Sequence, residues 1–156
     1  MHQLNAEEAA AFQAATSYAE AARVAIAHAK RRYTPEKPLI QVCGPISTGG
    51  LGDRTRNLIR LADMMDLVTE LGHPVFNQLQ FEGMVERFSP THSAANYDDR
   101  ILYEFYHPLL NQQYIRTLVF IEGWETSTGA RWERALGESF KLEILELEEL
   151  LRRHGG

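Results

Sequence analysis

Apolar residues recur along this chain with two different periods, and the two periods alternate. Spacings of three and four residues, typical of a helix with one buried face, run through residues 5–33, Arg54–Leu71, Tyr97–Gln113 and a segment from Arg131. Short, mostly apolar runs typical of buried strands separate them: Leu39–Cys43, His73–Asn77, Arg116–Glu122 and Leu142–Leu147. The leucines of the last run are also compatible with a continued helix.

The order of these segments predicts an α/β fold, because strands that alternate with helices form a parallel sheet covered by helices on both faces. We expect a flavodoxin- or Rossmann-like sheet of four or five strands, preceded by an added N-terminal helix. Residues 78–96 lack a clear period and contain Gly83 and Pro90. They predict an irregular lid segment with one short helix. Residues 148–154 predict a short charged helix or a frayed end.

The first segment predicts one long helix with an alanine-rich face. Asn5 is a suitable N-cap, with Glu8 three residues further on, and a linker with two prolines ends the segment. Its apolar stripe consists of Phe12, Ala15, Ala19, Ala22, Ile26, Ala29 and Tyr33. Alanine permits close packing but buries little area. We therefore expect residues 1–34 to pack against the domain formed by residues 35–156 or against a partner subunit.

Composition restricts the possible functions. The chain has 156 residues and a net charge of −5, which disfavours binding to nucleic acid polymers. Cys43 is the only cysteine, which excludes an intrachain disulfide and favours the cytoplasm. We expect neither a signal peptide nor a membrane segment, since the apolar runs are shorter than the roughly 20 residues that cross a bilayer. The histidines lack metal-ligand spacing, so we expect no metal and no other cofactor.

Two loops rich in small residues follow predicted strands and precede predicted helices: Gly44–Asp53 and Gly123–Ala130. Loops at the carboxyl ends of parallel strands share one edge of the sheet, where α/β proteins bind small ligands. The first loop lacks the Gly-Lys-Ser/Thr of a P-loop, and its glycines do not match the dinucleotide-binding pattern. An ordinary strand-to-helix turn is its alternative interpretation.

The second loop carries the strongest candidates for chemistry. Ser127 and the backbone amides of Gly129 and Ala130 are suited to bind a phosphate or hydroxyl group at a helix N-terminus. Glu133 follows in the first turn of that helix, and we expect its carboxylate to face the same crevice as a nucleophile or base. The alternative is that Ser127 only caps the helix and Glu133 is exposed. Trp124 either covers a bound base or sugar or packs against the sheet.

The two loops together resemble those of the nucleoside 2-deoxyribosyltransferase-like superfamily. Val42–Gly50 resembles the first loop, especially that of the deoxynucleoside 5′-monophosphate N-hydrolases and the small proteins grouped with them. Gly123-Trp124-Glu125, followed by Ser127, Gly129-Ala130 and Glu133, resembles the second loop of those small proteins. The resemblance extends from about Leu39 to Leu147 and leaves the N-terminal helix as an addition.

The resemblance implies a specific reaction. In that superfamily the glutamate at the position of Glu133 attacks the anomeric carbon of a deoxyribonucleoside, and the base leaves. Water or a second base then resolves the glycosyl-enzyme ester. The resemblance also implies that Ser127 contacts a phosphate or hydroxyl, and that Trp124 and the lid segment close over the base. The backbone expected to line the sugar-phosphate side is that of Gly44, Pro45, Ile46 and Ser47. Relatives form dimers or larger homo-oligomers, so we expect the same here.

Three positions depart from the family pattern. Gln41 stands where the hydrolases have tyrosine, and Ser47 where they have arginine. Leu109 stands where they have an aspartate, unless Asn111 or His107 takes its place. The sequence therefore predicts cleavage of the N-glycosidic bond of a nucleoside or nucleoside 5′-monophosphate, with hydrolysis favoured over transfer. The alternatives are a binding or sensor domain of the same fold without catalysis, and an interaction module built on the N-terminal helix.

Overall fold

The computed structural model describes residues 3–155, in which strands and helices alternate as predicted. The strands are β1 (Leu39–Cys43), β2 (Ile115–Phe120) and β3 (Glu143–Glu146). The α-helices are α1 (Ala6–Ala14), α2 (Tyr18–Arg32), α3 (Arg54–Glu70), α4 (Gly83–Phe88), α5 (His107–Asn111), α6 (Thr128–Ser139) and α7 (Leu147–Gly155). Gln78–Phe81 and Trp124–Thr126 are 3-10 helical, and Ile101–Tyr106 is π-helical. The predicted α/β class is confirmed.

The described residues form a parallel sheet of three strands in the order β1-β2-β3. In its register Val42 is paired with Val119, and Val119 with Leu145. The strand predicted at His73–Asn77 is reduced to a single parallel bridge between Val75 and Ile40. Pro74 has no N–H to donate to a ladder, and residue 78 begins a 3-10 helix, so the pairing cannot extend. The sheet is therefore smaller than the four or five strands expected.

Both faces of the sheet are covered by helices, as successive strand residues point to opposite sides. On one face Val42, Val119 and Leu145 pack with Leu61 of α3 and Leu150 of α7. On the other face the core holds side chains from all three strand regions and from α2, α4, α5 and α6. Its largest fully buried members are Phe76, Phe81, Phe105, Phe120, Leu39, Met84, Leu109, Leu110, Ile115 and Leu118. This second face lies beneath the candidate site.

The N-terminal segment consists of two helices rather than one. Asn5 and Glu8 form the predicted capping box of α1. Ser17 caps α2 by accepting a hydrogen bond from the N–H of Glu20, and this cap starts a new helix where a continuous one was expected. The buried face of α2 includes Ala22, but Ala19 of the predicted stripe is exposed. The division of the chain at residue 34 stays a prediction.

The segment predicted as a helix over Tyr97–Gln113 is helical only from Arg100 and changes from π-helix to α-helix at His107, directly before Pro108. A proline lacks the N–H that bonds to the preceding turn, and the residues before it form the π-helix of Ile101–Tyr106. Toward the C-terminus, the strand interpretation of Leu142–Leu147 is confirmed by β3, and α7 is the expected charged helix. Within residues 3–155 no helix has the length and apolarity to cross a membrane.

Candidate active site

The two loops predicted to share one edge of the sheet do meet there. The N–H of Gly50 donates to Thr126 Oγ1 at 2.7 Å, and the N–H of Thr128 donates to Thr48 Oγ1 at 2.8 Å. Asn57 of α3 closes the first loop by donating to the carbonyl oxygens of Ile46 and Gly49. The loops are therefore one hydrogen-bonded unit at the carboxyl ends of β1 and β2.

Gly49 is the tightest point of this junction, so replacing it with alanine should destabilise the protein strongly. Its φ is +66°, and an added Cβ would overlap the backbone of Thr126. Gly52 is the matched control, since its φ is +77° but nothing lies within 4 Å of an added Cβ. We expect the free energy of unfolding in urea to fall by about 1 kcal/mol for Gly52→Ala and by roughly 3 kcal/mol or more for Gly49→Ala. Equal losses would contradict the close contact of the loops.

A cavity lies between the joined loops, the 3-10 helix at residue 78, α4 and the π-helix. Its cavity volume is about 40 Å³. Its lining consists of Gly44, Ile46, Ser47, Thr48, Gln78, Glu82, Val85, His92, Tyr97, Ile101, Leu102, Tyr106, Ser127, Gly129, Ala130 and Glu133. Pockets for drug-sized ligands measure roughly 300–1,000 Å³, so water fits the cavity as it stands and a nucleoside requires the cavity to widen.

Glu133 lies at the base of this cavity, 8% exposed. Its Oε2 accepts a short hydrogen bond from Nε2 of Gln41 and lies 3.7 Å from the Cys43 thiol, which donates to it. Its Oε1 makes no hydrogen bond with any residue in the described part of the chain. Gln41 and Cys43 both belong to β1, so the sheet holds one oxygen of the carboxyl group and leaves the other available. The alternative of an exposed carboxylate is excluded.

Burial raises the pKa of Glu133 to about 8. Loss of hydration is the largest cause, because it disfavours the charged form. The hydrogen bond from Cys43 opposes the increase, the nearby Glu82 adds to it by repulsion, and the Gln41 amide opposes it again. The Cys43 thiol has its own pKa raised well above the usual value by burial and by the same carboxylate. Cys43 is therefore a thiol donor and not a nucleophile.

Glu82 is a second carboxyl group in the cavity that sequence analysis missed. Glu82 precedes α4, but its side chain makes no capping hydrogen bond to that helix. Its Oε2 instead lies 2.6 Å from Nη2 of Arg54. Burial raises its pKa, and the charge of Arg54 opposes the increase. The sequence around it has no clear period, and Arg54 is 28 positions away, so no local pattern pointed to this pair.

His92 and Ser47 connect the lid segment to the first loop. The backbone N–H of Asp98 donates to Nδ1 of His92 at 2.9 Å, so Nδ1 carries no proton. The proton of the neutral ring is then on Nε2, which lies 3.0 Å from Ser47 Oγ and donates to it. Burial also lowers the pKa of His92. This tautomer cannot accept a proton from Ser47, so the pair is no serine-hydrolase site.

The N-terminus of α6 faces the cavity but is largely satisfied by the protein. Ser127 is 3% exposed, and its Oγ accepts from the N–H of Ala130 at 3.1 Å, as a helix cap does. The Oγ1 atom of Thr48 accepts a hydrogen bond from the N–H of Thr128. The N–H of Gly129 has no acceptor among the described residues and remains available to a ligand.

The cavity brings together most, but not all, of the predicted site residues. It includes Gly44, Ile46, Ser47, Ser127, Gly129, Ala130 and Glu133. Pro45 is buried but outside the lining. Trp124 packs on Phe120 at 5.4 Å and under the guanidinium of Arg134 at 4.3 Å, so it follows the packing alternative.

Two tyrosines of the cavity were not anticipated. Tyr97 and Tyr106 line it, and neither hydroxyl makes a hydrogen bond to a described residue. Burial is the main cause that raises both pKa values, so both are neutral phenols. Leu109, which the resemblance aligns with an aspartate, is fully buried, and Asn111 and His107 are exposed outside the cavity. No group of three or more metal-ligating side chains occurs within residues 3–155.

No protein-family model matches the chain, and comparisons with curated proteins and with solved structures find no match either. Membership of a superfamily is therefore a proposal, supported by the residues of the two loops and by the cavity between them.

Proposed function

We propose that this protein cleaves the N-glycosidic bond of a nucleoside or nucleoside 5′-monophosphate with Glu133 as nucleophile. The observation that carries the proposal is a buried carboxyl group with one oxygen fixed and the other available, at the base of a cavity between two strand-end loops.

The same proposal includes the flavodoxin- or Rossmann-like superfamily described above, a homo-oligomeric assembly and a cytoplasmic location. Mass in solution tests the assembly.

The proposed chemistry uses the two oxygens of Glu133 differently. Gln41 and Cys43 hold Oε2, while Oε1 attacks the anomeric carbon. The C1′–N bond breaks, the base leaves with its electron pair and takes up a proton, and an ester forms between Oε1 and C1′. A carboxylate near the reacting carbon stabilises the oxocarbenium-like transition state, more strongly in a dry cavity than in water. Water or a second base then attacks C1′ and regenerates Glu133.

A binding or sensor domain without catalysis is the second candidate. One observation favours it: the raised pKa of Glu133, about 8, keeps the group mostly protonated at neutral pH in the free protein. A protein of this kind would bind nucleosides and release no base.

Incubation with a panel of ribo- and deoxyribonucleosides and their 5′-monophosphates distinguishes the two candidates. Free base is measured by chromatography, and binding by thermal shift on the same panel. Base release from at least one member supports the enzyme. Binding without release at high protein concentration supports the sensor. If the protein neither binds nor cleaves any member of the panel, both proposals lose their support.

The pH dependence of base release gives a separate prediction. Because attack requires the ionised carboxylate, kcat/KM should rise about tenfold per pH unit at low pH and level off above the Glu133 pKa of about 8. The rate is measured in a series of buffers at constant ionic strength. A profile that falls through the same region would assign Glu133 as a proton donor and contradict its role as nucleophile.

A further inference from the structure

The cavity lacks an unpaired positive charge. Its lining within the described chain contains the carboxyl groups of Glu82 and Glu133 but no lysine and no arginine. A phosphate monoester carries about −1.5 to −2 charges at neutral pH. Protein sites for such groups supply arginine, lysine or several free backbone amides. The charges and hydrogen-bonding groups that line the cavity therefore restrict which ligands it can bind.

The two basic side chains at the cavity, Arg54 and His92, supply no free positive charge. Arg54 pairs with Glu82 at 2.6 Å, and the Glu82 side chain is only 11% exposed. Moving Arg54 onto a phosphate would leave this largely buried carboxylate without its partner. His92 is neutral, because its Nδ1 accepts the N–H of Asp98. A phosphate group in the cavity would therefore find no unpaired positive charge to compensate its own.

The helix N-terminus offers a phosphate little as well. The amides of Thr128 and Ala130 are bonded to Thr48 and Ser127. The amide of Gly129 is left, and one neutral donor suits a hydroxyl group better than a dianion.

One buried acceptor in the lining has no partner. Gln78 is 2% exposed, and its Nε2 donates to the carbonyl oxygen of Val42 at 2.7 Å. This bond fixes the amide group, and its Oε1 is buried without any hydrogen-bond partner in the described chain. Such an oxygen costs free energy unless a donor reaches it, and a bound hydroxyl or amino group would supply that donor.

We propose that the cavity takes an unphosphorylated nucleoside, and that Oε1 of Gln78 accepts a hydrogen bond from a hydroxyl or amino group of this ligand. The inference rests on the proposed function and narrows its substrate class. A nucleoside brings several donors and no charge, which matches an unpartnered acceptor, one free amide and two neutral tyrosine hydroxyls.

The test compares each nucleoside with its own 5′-monophosphate by calorimetry, using the full chain with Glu133→Gln so that nothing is cleaved. Inorganic phosphate is the third probe. We expect at least one nucleoside to bind about tenfold or more tightly than its monophosphate, because the lining offers a phosphate no unpaired cation, and inorganic phosphate not to compete. Equal or tighter binding of the monophosphate overturns this inference and leaves the proposed function intact. Absence of binding by either series overturns both.

Two further substitutions in the same background test the stated causes. Glu82→Gln frees Arg54, so the affinity ratio should shift at least about fivefold toward the monophosphate. Gln78→Met removes the unpartnered oxygen and should weaken nucleoside binding about five- to tenfold, whereas Gln112→Met on the exposed end of α5 should leave it unchanged. Thermal unfolding verifies that each variant is folded. If Glu82→Gln does not fold, two measurements still test the inference: the ratio of nucleoside to monophosphate affinity in the Glu133→Gln protein, and the nucleoside affinity of Gln78→Met. An unchanged affinity in folded Gln78→Met contradicts the role of this residue.

Discussion

Replacing Glu133 with glutamine is expected to reduce base release by on the order of a thousandfold or more. The amide has nearly the shape of the carboxyl group and can still accept the hydrogen bond from Gln41, so the cavity should keep its form. It cannot form the ester with C1′, because a neutral amide oxygen is a poor nucleophile. The measurement is single-turnover base release with enzyme in excess of the best nucleoside of the panel.

Glu125→Gln is the matched control for this loss. Glu125 lies eight positions earlier in the second loop, is exposed, and does not line the cavity. Its replacement should leave the rate within about twofold, because exposed charges contribute little. A Glu133→Gln protein that keeps most of its activity would assign the chemistry to another group, and Glu82 is the other carboxyl group of the cavity.

The Glu133→Gln substitution should also make the protein more stable at alkaline pH. Glu133 has a pKa of about 8 in the folded state and a pKa near the ordinary glutamate value of 4.5 in the unfolded chain. Between these values the folded state retains a proton that the unfolded state has lost, so the stability of the natural protein falls as the pH rises from 4.5 to 8. The variant has no titrating group there. The free energy of unfolding of the variant minus that of the natural protein should therefore be about 4 to 5 kcal/mol larger above pH 8 than below pH 4.5.

Urea unfolding of both proteins across this pH range measures the gain. Groups that do not interact with Glu133 titrate alike in both proteins and cancel in the difference, whereas Glu82, which repels Glu133, cancels only in part. The difference should be constant below pH 4.5, increase up to pH 8 and level off beyond it. Glu125→Gln should show no such increase. A flat difference for Glu133→Gln would mean that the carboxyl group is hydrated and ionised in the folded protein.

The parts of the fold that sequence predicted best are those with a repeated local signal. β1, β2 and β3 follow apolar runs, and the Asn5 capping box is a local pattern. The break at Ser17 was missed because the apolar spacing continues across it and only the cap reveals it. The His73–Asn77 strand was overestimated because its apolar pattern conceals the missing donor of Pro74.

The candidate site was predictable where it depends on chain order. Loops after parallel strands meet at one edge, so Gly44, Ser127 and Glu133 were placed together correctly. Gln78 and Glu82 were missed because their roles come from burial against distant parts of the chain. The capping role of Ser127 and the packing of Trp124 were open alternatives, since sequence does not show which neighbour a side chain meets.

Trapping of the covalent intermediate tests the central claim most directly. The protein is mixed with a nucleoside whose sugar carries fluorine at C2′, which slows hydrolysis of the ester, and is then digested and analysed by mass spectrometry. The proposed chemistry predicts one added fluoropentosyl group, on the peptide that contains Glu133, and none with Glu133→Gln. Base release without an adduct on that residue, or an adduct on another side chain, would contradict it.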